Sequence, residues 1–284
     1  MRRVAQPGPE VTERIQWVEA RGRAFSFTME KGLTLLEATR RGFERAGFAS
    51  GVLSFDAGAL GPFAYVMPAL SKTRENAAFY SDIFRPAGVT RLTTGAMTFG
   101  ERDGAPFFHC HALWIESDGR ANGGHILPDE TVIAEPFTVR AFGIDGAAFV
   151  AEPDLETNFK LFGPIARDRS GADAPRQAFA LRLRPNQDMA QALEDFCRAR
   201  GLSRARLHGG VGSIIGARYQ DGRISEPFAT EMAVRSGVIE TEGDDLRASL
   251  DVVLVDYTGS MSEGRLARGD NPILMTLEIV IEII

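Results

Sequence analysis

The amino-acid sequence predicts an α+β fold in which one unit of strands and a helix occurs twice. Each half contains a predicted helix that ends at a glycine, Gly47 in the first half and Gly201 in the second. Turn-like hairpins follow in the same order, around Gly119 and Gly259. Because a repeated order of elements is the mark of an internal duplication, we expect two copies of one domain.

The first two elements of each copy are a strand and an amphipathic helix. Residues 25–28 and 179–182 each open a strand at the same distance before the glycine that ends the helix. Glycine suits the left-handed position at a helix C-terminus. Apolar residues recur at near-helical spacing, so each helix should pack one face on a sheet. They are Leu33, Leu36, Ala38 and Phe43 in the first helix, and Met189, Ala190, Leu193, Phe196 and Cys197 in the second.

These patterns divide the chain into four parts. We expect an N-terminal extension over residues 1–15, loose up to about residue 10, and a first domain over 16–150. The proline-rich, polar stretch 151–177 is typical of a linker, although its short apolar run should dock on a domain. The second domain is expected over 178–284. Only the first domain has the extra segment 68–88, and long insertions often carry function.

The composition is that of a soluble globular protein. Hydrophobic residues make up 44% of the 284 residues and charged residues 25%. The net charge of -6 opposes a broad electrostatic grip on DNA. Two cysteines exclude a disulfide framework. Without a signal peptide or a long apolar run for a membrane span, the protein is expected to be cytoplasmic.

Three of the four histidines, His109, His111 and His125, fall inside one seventeen-residue window. Side chains alternate between the two faces of a strand, so His109 and His111 share a face and Cys110 points away. Crowding of this kind predicts a metal-binding hairpin.

The turn decides whether the third histidine joins the other two. A three-residue loop at 117–119, with a left-handed glycine, places His125 opposite His111 on the same face. A two-residue turn places His125 opposite Ala112, on the other face, unless a bulge at 123–124 shifts the register. The metal interpretation requires one of these two devices.

Three imidazoles are a good ligand set for zinc or another divalent transition metal. They leave one coordination position open for water or substrate, as in catalytic zinc sites. An open position of this kind polarises a carbonyl or carboxylate, or activates water. The alternative is that these are ordinary structural histidines, because the HxH spacing alone is a weak motif.

The second hairpin has lost these ligands. The repeat places Ser249, Asp251 and Arg265 at the three histidine positions. In the same register Asp251 lies opposite Arg265, and we expect an ion pair in the space that the metal takes in the first domain. One copy would then serve chemistry, and the other would act as scaffold or supply one wall of the site.

Together these residues resemble the PPC domain, a domain of unknown function conserved between plants and prokaryotes, over most of the chain. The matching positions are His109, His111, Asp118-Gly119, Gly123-Gly124-His125 and Glu135 in the first half, and Glu231, Ser236-Gly237, Asp256, Gly259, Gly264 and Glu278 in the second. The resemblance implies a mainly antiparallel sheet with a flanking helix, assembly as a homo-oligomer, namely a trimer, and zinc held by the three histidines. The fold is also similar to that of acetolactate decarboxylase, an enzyme that holds zinc through three histidines.

Plant members of the family carry AT-hook motifs outside this domain. The run Arg21-Gly22-Arg23 resembles an AT-hook core, but Ala24 stands where proline is needed, and a strand is the better interpretation. The glycine-rich run 209–213 fits neither a dinucleotide fingerprint nor a Walker loop, so we expect tight packing there and a structural role for His208.

The leading functional hypothesis is a small-molecule zinc-dependent lyase, such as a decarboxylase, acting on a 2-oxo or 2-hydroxy acid. Such chemistry needs a cation for the carboxylate and an acid or base for proton transfer. Arg85, Arg91, Glu135 and Tyr80 are the catalytic candidates, with Asp82 as a further one. The alternative is a noncatalytic trimeric interaction module or DNA-binding regulator.

Overall fold

Nineteen strands and two helices make up the structure, a computed structural model that describes residues 1–284. Seventeen of the strands form one sheet and two form a separate hairpin. The α+β class with mainly antiparallel pairing is confirmed. Both helices have eleven residues, and neither is long and apolar enough to cross a membrane.

The elements of the first half are β1 (Ile15–Met29), α1 (Leu35–Arg45), β2 (Ser50–Phe55), β3 (Gly58–Leu60), β4 (Tyr65–Val66), β5 (Pro68–Leu70), β6 (Ala78–Tyr80), β7 (Thr90–Arg102), β8 (Ala105–Ile115), β9 (Ala121–Ile126), β10 (Ile133–Glu135) and β11 (Phe137–Asp145). A hairpin of β12 (Ala147–Pro153) and β13 (Lys160–Ala166) follows. The second half consists of β14 (Arg176–Leu183), α2 (Met189–Ala199), β15 (Arg204–Arg218), β16 (Ile224–Glu242), β17 (Asp245–Asp256), β18 (Met261–Arg265) and β19 (Ile273–Ile283).

The same order of strand pairing occurs in both halves. In the first half the antiparallel neighbours run β1, β11, β2, β7, β8, β9. In the second half they run β14, β19, β15, β16, β17, β18. Each half is therefore a sheet whose last two strands form a hairpin. These are the hairpins predicted around Gly119 and Gly259.

Strand β1 joins the two sheets into one. Its C-terminal part pairs with β11 and its N-terminal part pairs with β14, in both cases antiparallel. The predicted boundary at residue 15 thus coincides with the start of a strand that serves both halves. The hydrogen-bonded sheet runs from one half into the other without an edge between them.

Each helix covers one face of its sheet, as the periodicity predicted. The helix N-termini are capped by Thr34, which accepts from the Glu37 amide, and by Asp188, which accepts from the Gln191 amide. Gly47 and Gly201 take left-handed conformations, with φ of +85° and +66°. A main apolar core lies beneath each helix, containing Phe43, Met97 and Trp114 in the first half and Leu193, Phe196 and Ile279 in the second.

A smaller apolar layer lies between the two sheets. Ala96 of β7 packs against Val211, Ala233 and Val253 of the second half. The outer face of β7 and β8, which carries the histidine pair, therefore lies against the second half instead of solvent. This contact places the predicted metal hairpin in the interior of the molecule.

Two segments are more ordered than the sequence suggested. The stretch 151–177 contains the end of β12 and all of β13, and Phe162 of its apolar run is buried, as expected for a docking segment. The extension expected to be loose is held by hydrogen bonds between Val4 and Asn186 and between the Gly8 amide and the Glu156 carbonyl. Polar backbone groups in short terminal segments need partners, and here the second half and the 151–177 segment supply them.

Candidate metal centre

The three-residue loop predicted between β8 and β9 forms. The Glu116 amide donates to the Arg120 carbonyl, the Gly119 amide donates back to the Glu116 carbonyl, and Gly119 has φ of +87°. This turn sets His111 directly opposite His125 in the strand register. Cys110 points the other way and is fully buried in the first core.

The three imidazoles converge on one point. His109 Nε2 lies 3.1 Å from His111 Nε2, and one potential ligand nitrogen from each of the three rings lies within 4.8 Å of the others. Two nitrogens bound to one tetrahedral zinc ion are separated by about 3.3 Å, which follows from zinc–nitrogen distances near 2.05 Å. The spacing of the cluster thus suits a shared metal ion.

The second half holds two of these rings in place. The Nδ1 atom of His109 lies 2.6 Å from the Glu278 carboxylate on β19, and the Nδ1 atom of His111 lies 3.1 Å from the Met232 carbonyl on β16. An Nδ1–H donated to an oxygen leaves the Nε2 lone pair free for a metal, and partners of this type orient ligating histidines in known metal sites.

Burial controls the charge of the cluster. It lowers the pKa of His111 well below the usual value, and the neighbouring His109 and His125 lower it further. Burial also lowers the pKa of His125, with His109 as a smaller cause. These two rings are therefore neutral at physiological pH, which is the form that binds metals.

Two buried atoms of the site have no hydrogen-bond partner, the Nδ1 of His125 and the Oε2 of Glu231. The other Glu231 oxygen lies 3.6 Å from His111 Nε2. Burial raises the pKa of Glu231 well above its usual value. A cation at the cluster would compensate both the unpaired carboxylate and the unpaired imidazole, so the residues present fit a divalent transition metal.

The insertion 68–88 covers the cluster from outside. Its hairpin of β5 and β6, the residues around Phe159 and strands of the second half line a cavity of about 50 Å³, which reaches His109, His111 and Glu231. We call this the inner cavity. Its volume holds a few water-sized groups. The insertion therefore limits what can approach the histidines.

Tyr80 is the catalytic candidate that the structure brings to the cluster. Its ring meets the His125 ring edge-on, with centroids 5.2 Å apart, and it lines the inner cavity. Burial of its hydroxyl group, with the nearby Glu231 and Glu278 carboxylates, raises its pKa. Tyr80 is thus a neutral hydroxyl group placed beside the histidines. Asp82 lies two residues further on and is exposed.

The other three catalytic candidates lie elsewhere. Arg85 forms an exposed ion pair with Glu130, and Arg91 forms one with Glu135. None of these side chains lines the inner cavity. Arg91 and Glu135 meet because β3 pairs with both β7 and β10, so a sheet neighbourhood accounts for their proximity.

The second hairpin has the expected register but a different ion pair. Asp251 does lie opposite Arg265 in the strands. Its carboxylate, however, binds Arg235, at 2.8 Å, and Arg235 also contacts Glu263. The expected Asp251–Arg265 pair is wrong, because Arg235 on the adjacent β16 presents its guanidinium group to both carboxylates.

The two motifs set aside in the sequence have structural roles. Arg21-Gly22-Arg23 lies inside β1, where Arg21 and Arg23 donate to carbonyls of residues 173–175. His208 stacks on Phe142 and binds Glu282 at 2.7 Å. Gly209, with φ of +66°, packs so closely on Val52 that a Cβ atom would lie 2.5 Å from it.

Sequence reasoning did not assign Glu231 and Glu278 to the site, although it singled out both as family positions. A signal for Glu278 exists: it is one of two carboxylates in the mainly apolar strand Ile273–Ile283, and it is fully buried. Charged residues are almost never buried unless they are paired or bind a cation. A glutamate in a core strand is therefore a candidate site residue.

Fold and site together define a β-rich α+β protein with a buried three-histidine centre between two similar sheets. The sequence profile of the Plants and Prokaryotes Conserved (PCC) domain matches residues 171–284, the half without the three histidines. No curated protein matches the chain.

Several solved structures are similar to about half of the chain. A metal-containing protein from Archaeoglobus fulgidus is 20% identical, with 50% of this chain and 94% of that chain covered and a TM-score of 0.39. A plant- and prokaryote-conserved (PPC) protein from Pyrococcus horikoshii is 16% identical, with 56% of this chain and 100% of that chain covered and a TM-score of 0.39. A candidate DNA-binding protein from Ralstonia eutropha is 12% identical, with 49% of this chain and 89% of that chain covered and a TM-score of 0.36.

Proposed function

We propose that the chain binds one divalent transition metal ion through His109, His111 and His125, with zinc as the leading candidate. The observation that carries the proposal is the convergence of three imidazoles, one buried and two half-buried, of which two have their Nδ1 atoms held by Glu278 and by a backbone carbonyl. A histidine cluster with no metal role would leave the lone pairs of neutral rings facing each other without a donor.

We further propose that this centre acts on a small carboxylate-bearing molecule, as a lyase or decarboxylase. When bound, a divalent metal supplies Lewis acidity toward a carbonyl or carboxylate oxygen. The Tyr80 hydroxyl group and the Glu231 carboxyl group are the protein's candidates for holding or moving a proton, since both line the inner cavity. The resemblance to acetolactate decarboxylase noted in the sequence supports this reaction class.

We also infer that the first half is a second copy of the family domain that matches residues 171–284. The repeated order of strand pairing and the matching helices support the duplication. One copy supplies the ligands, while the other supplies the oxygens that orient two of them. A cytoplasmic location is part of the same proposal.

Metal analysis of untagged protein tests the central claim. We expect about one zinc per chain in the wild type and none in the His109→Ala/His111→Ala double variant. His208→Ala is the matched control, because His208 is the one histidine outside the cluster. Zinc in the double variant at the wild-type level, or no metal in the wild type after growth with added zinc, would contradict the proposal.

A noncatalytic trimeric interaction module is the second candidate function. Four large apolar side chains on the insertion are between 40% and 50% exposed: Leu70, Phe79, Ile83 and Phe84. An exposed apolar patch of this kind is typical of a protein-binding surface. Metal-free protein that forms a stable trimer in light scattering would favour this candidate, whereas the net charge of -6 counts against DNA.

A further inference from the structure

A second cleft lies on the outer side of the histidine cluster. This outer cleft has a volume of about 480 Å³, and its walls include His125, Tyr80, Arg102 and Lys160. It has the size of a typical small-molecule site, whereas the inner cavity is much smaller. Of the two spaces beside the histidines, the outer cleft is therefore the one with room for a ligand of more than a few atoms.

Three aromatic residues, Phe79, Tyr80 and Phe159, separate the outer cleft from the inner cavity, and each of them lines both spaces. Phe159 contacts the other two rings at centroid distances of 5.7 and 5.8 Å. Arg102 lines the outer cleft and Glu231 lines the inner cavity, and both charges affect the pKa of the Tyr80 hydroxyl group. Tyr80 thus stands between the two spaces.

Arg102 is the available cation of the outer cleft. Its guanidinium group forms no hydrogen bond in the structure, and its closest carboxylate oxygen, from Asp103, is 3.9 Å away. Asp103 is already bound through both oxygens by Lys160, at 2.6 and 2.8 Å. The Arg102 side chain is held over the Phe107 ring at 5.0 Å, which fixes its position without using its donors.

The acidic groups that line the outer cleft, Asp129 and Glu130, form no ion pair with Arg102. Glu130 is bound by Arg85 instead. A guanidinium group with five free donors suits the planar, two-oxygen geometry of a carboxylate. The observations therefore favour an anion with a carboxylate group at this position.

We propose that the outer cleft binds a small organic acid, with Arg102 paired to its carboxylate and its other end directed past Tyr80 toward the three histidines. This inference rests on the proposed metal function and names the residue that selects the substrate class. A second oxygen group on the acid would then face the metal centre. Arg102 thereby takes the carboxylate-binding role that Arg85 and Arg91 were expected to fill.

Calorimetric titration with oxalate, malonate, succinate and glutarate, at constant ionic strength, tests the proposal on Co²⁺-loaded full-length protein. We expect at least one of these acids to bind, and Arg102→Gln to weaken the tightest by about 10-fold. Asp103→Asn should tighten the same acid by about 3-fold, because it removes the one carboxylate that lies within 4 Å of the Arg102 guanidinium group. Asparagine tolerates the positive φ of +55° at this position.

Arg140→Gln is the matched control, since Arg140, on β11, is an exposed arginine that pairs with Asp56 and lies outside the cleft. It should leave the binding of the acid unchanged. The visible spectrum of bound Co²⁺ provides a separate measurement of the metal centre, and we expect it to be the same in Arg102→Gln and in the wild type without added acid.

The outcomes separate the two proposals. Protein that takes up no Co²⁺ contradicts the metal function, and titration of the metal-free protein still tests the contact with Arg102. Protein that takes up Co²⁺ but binds the acids equally well with and without Arg102 contradicts this inference alone. Absence of binding of all four acids to the wild type would also overturn it.

Discussion

Single residues from the second half decide how the histidines of the first half are presented. Glu278 is fully buried, accepts from Thr276 Oγ1 at 3.0 Å and faces His109 Nδ1 at 2.6 Å. Its strand neighbour Arg182 adds a positive charge on the same pair of strands. The carboxylate is therefore fixed by two hydrogen-bond partners, and it can orient the His109 ring toward a metal.

Replacing Glu278 by glutamine should weaken zinc binding by about 10-fold to 100-fold, because the oriented negative charge behind His109 is lost while the shape is kept. Competition with a chromophoric chelator measures the affinity. Glu282→Gln, four residues along the same strand and paired with His208, is the matched control and should bind zinc as the wild type does. Equal affinities of the two variants would show that Glu278 has no part in the site.

The histidines themselves could be predicted from the sequence, because strand alternation and loop length are local properties. The three-residue loop and the His111–His125 pair are confirmed. The hydrogen-bond partners of the histidine rings could not be predicted from local sequence patterns. Glu278 is 169 residues away from His109 in sequence, and its position depends on how the two sheets pack.

At the scale of elements, the hairpin of β12 and β13 ties the segment between the halves to the core. Asp154, at its turn, is buried and lies 2.9 Å from Arg182 of β14 and 2.6 Å from Arg184, the residue just after β14. Burial acts to raise the pKa of Asp154, but Arg182 and Arg184 outweigh it and the pKa is lowered. The pair thus stabilises the charged form in the folded protein.

Asp154→Asn should lower the free energy of unfolding by about 3–5 kcal/mol at pH 7, because it leaves two arginines without their buried partner. Urea unfolding of metal-free protein measures the change. Asp56→Asn, which breaks an exposed pair with Arg140, should change it by less than about 1 kcal/mol.

The same pair predicts a pH dependence. Since the folded pKa of Asp154 is below its unfolded value, the stabilisation is present above the unfolded pKa and is lost as the pH falls through the folded pKa. The difference in stability between wild type and Asp154→Asn should therefore shrink below about pH 4. A difference that stays constant from pH 7 to pH 3 would rule out the ion pair as its source.

This element was only partly predictable from the sequence. Proline and polar residues in 151–177 indicated a linker, and the polar run 167–171 does lie between strands, but Pro153 and Pro164 lie inside β12 and β13. The strands within it depend on pairing partners that are distant in sequence: β12 adds to β7, and β13 adds to β12. Turn-forming residues mark where a chain bends, but they do not reveal whether the stretches between the bends find a sheet edge.

At the scale of the whole molecule, the two halves share a sheet and a candidate site. Strand β1 pairs with both halves, and the apolar layer around Ala96 and Val211 packs them face to face. Histidines come from one half and their orienting oxygens from the other. A metal ion at this position would bind only when both halves are folded and docked.

The chain should therefore unfold in a single cooperative transition, and zinc should raise the midpoint of that whole transition. At a free zinc concentration 100 times the dissociation constant, the stabilisation would be about 2.7 kcal/mol. Differential scanning calorimetry, with and without zinc, measures this effect, and the His109→Ala/His111→Ala variant should show no shift. Two separate transitions, only one of which responds to zinc, would contradict this expectation.

The sequence by itself determined the two helices, the repeated order of helix and hairpin, and the three histidines on one face of a hairpin, because helix periodicity, strand alternation and turn chemistry act over a few residues. Only the tertiary structure decided what surrounds them. It placed Glu231 and Glu278 beside the rings, paired Arg85 and Arg91 on the surface, and left Arg102 free in the outer cleft. These outcomes depend on the packing of one sheet on another, which no local pattern encodes.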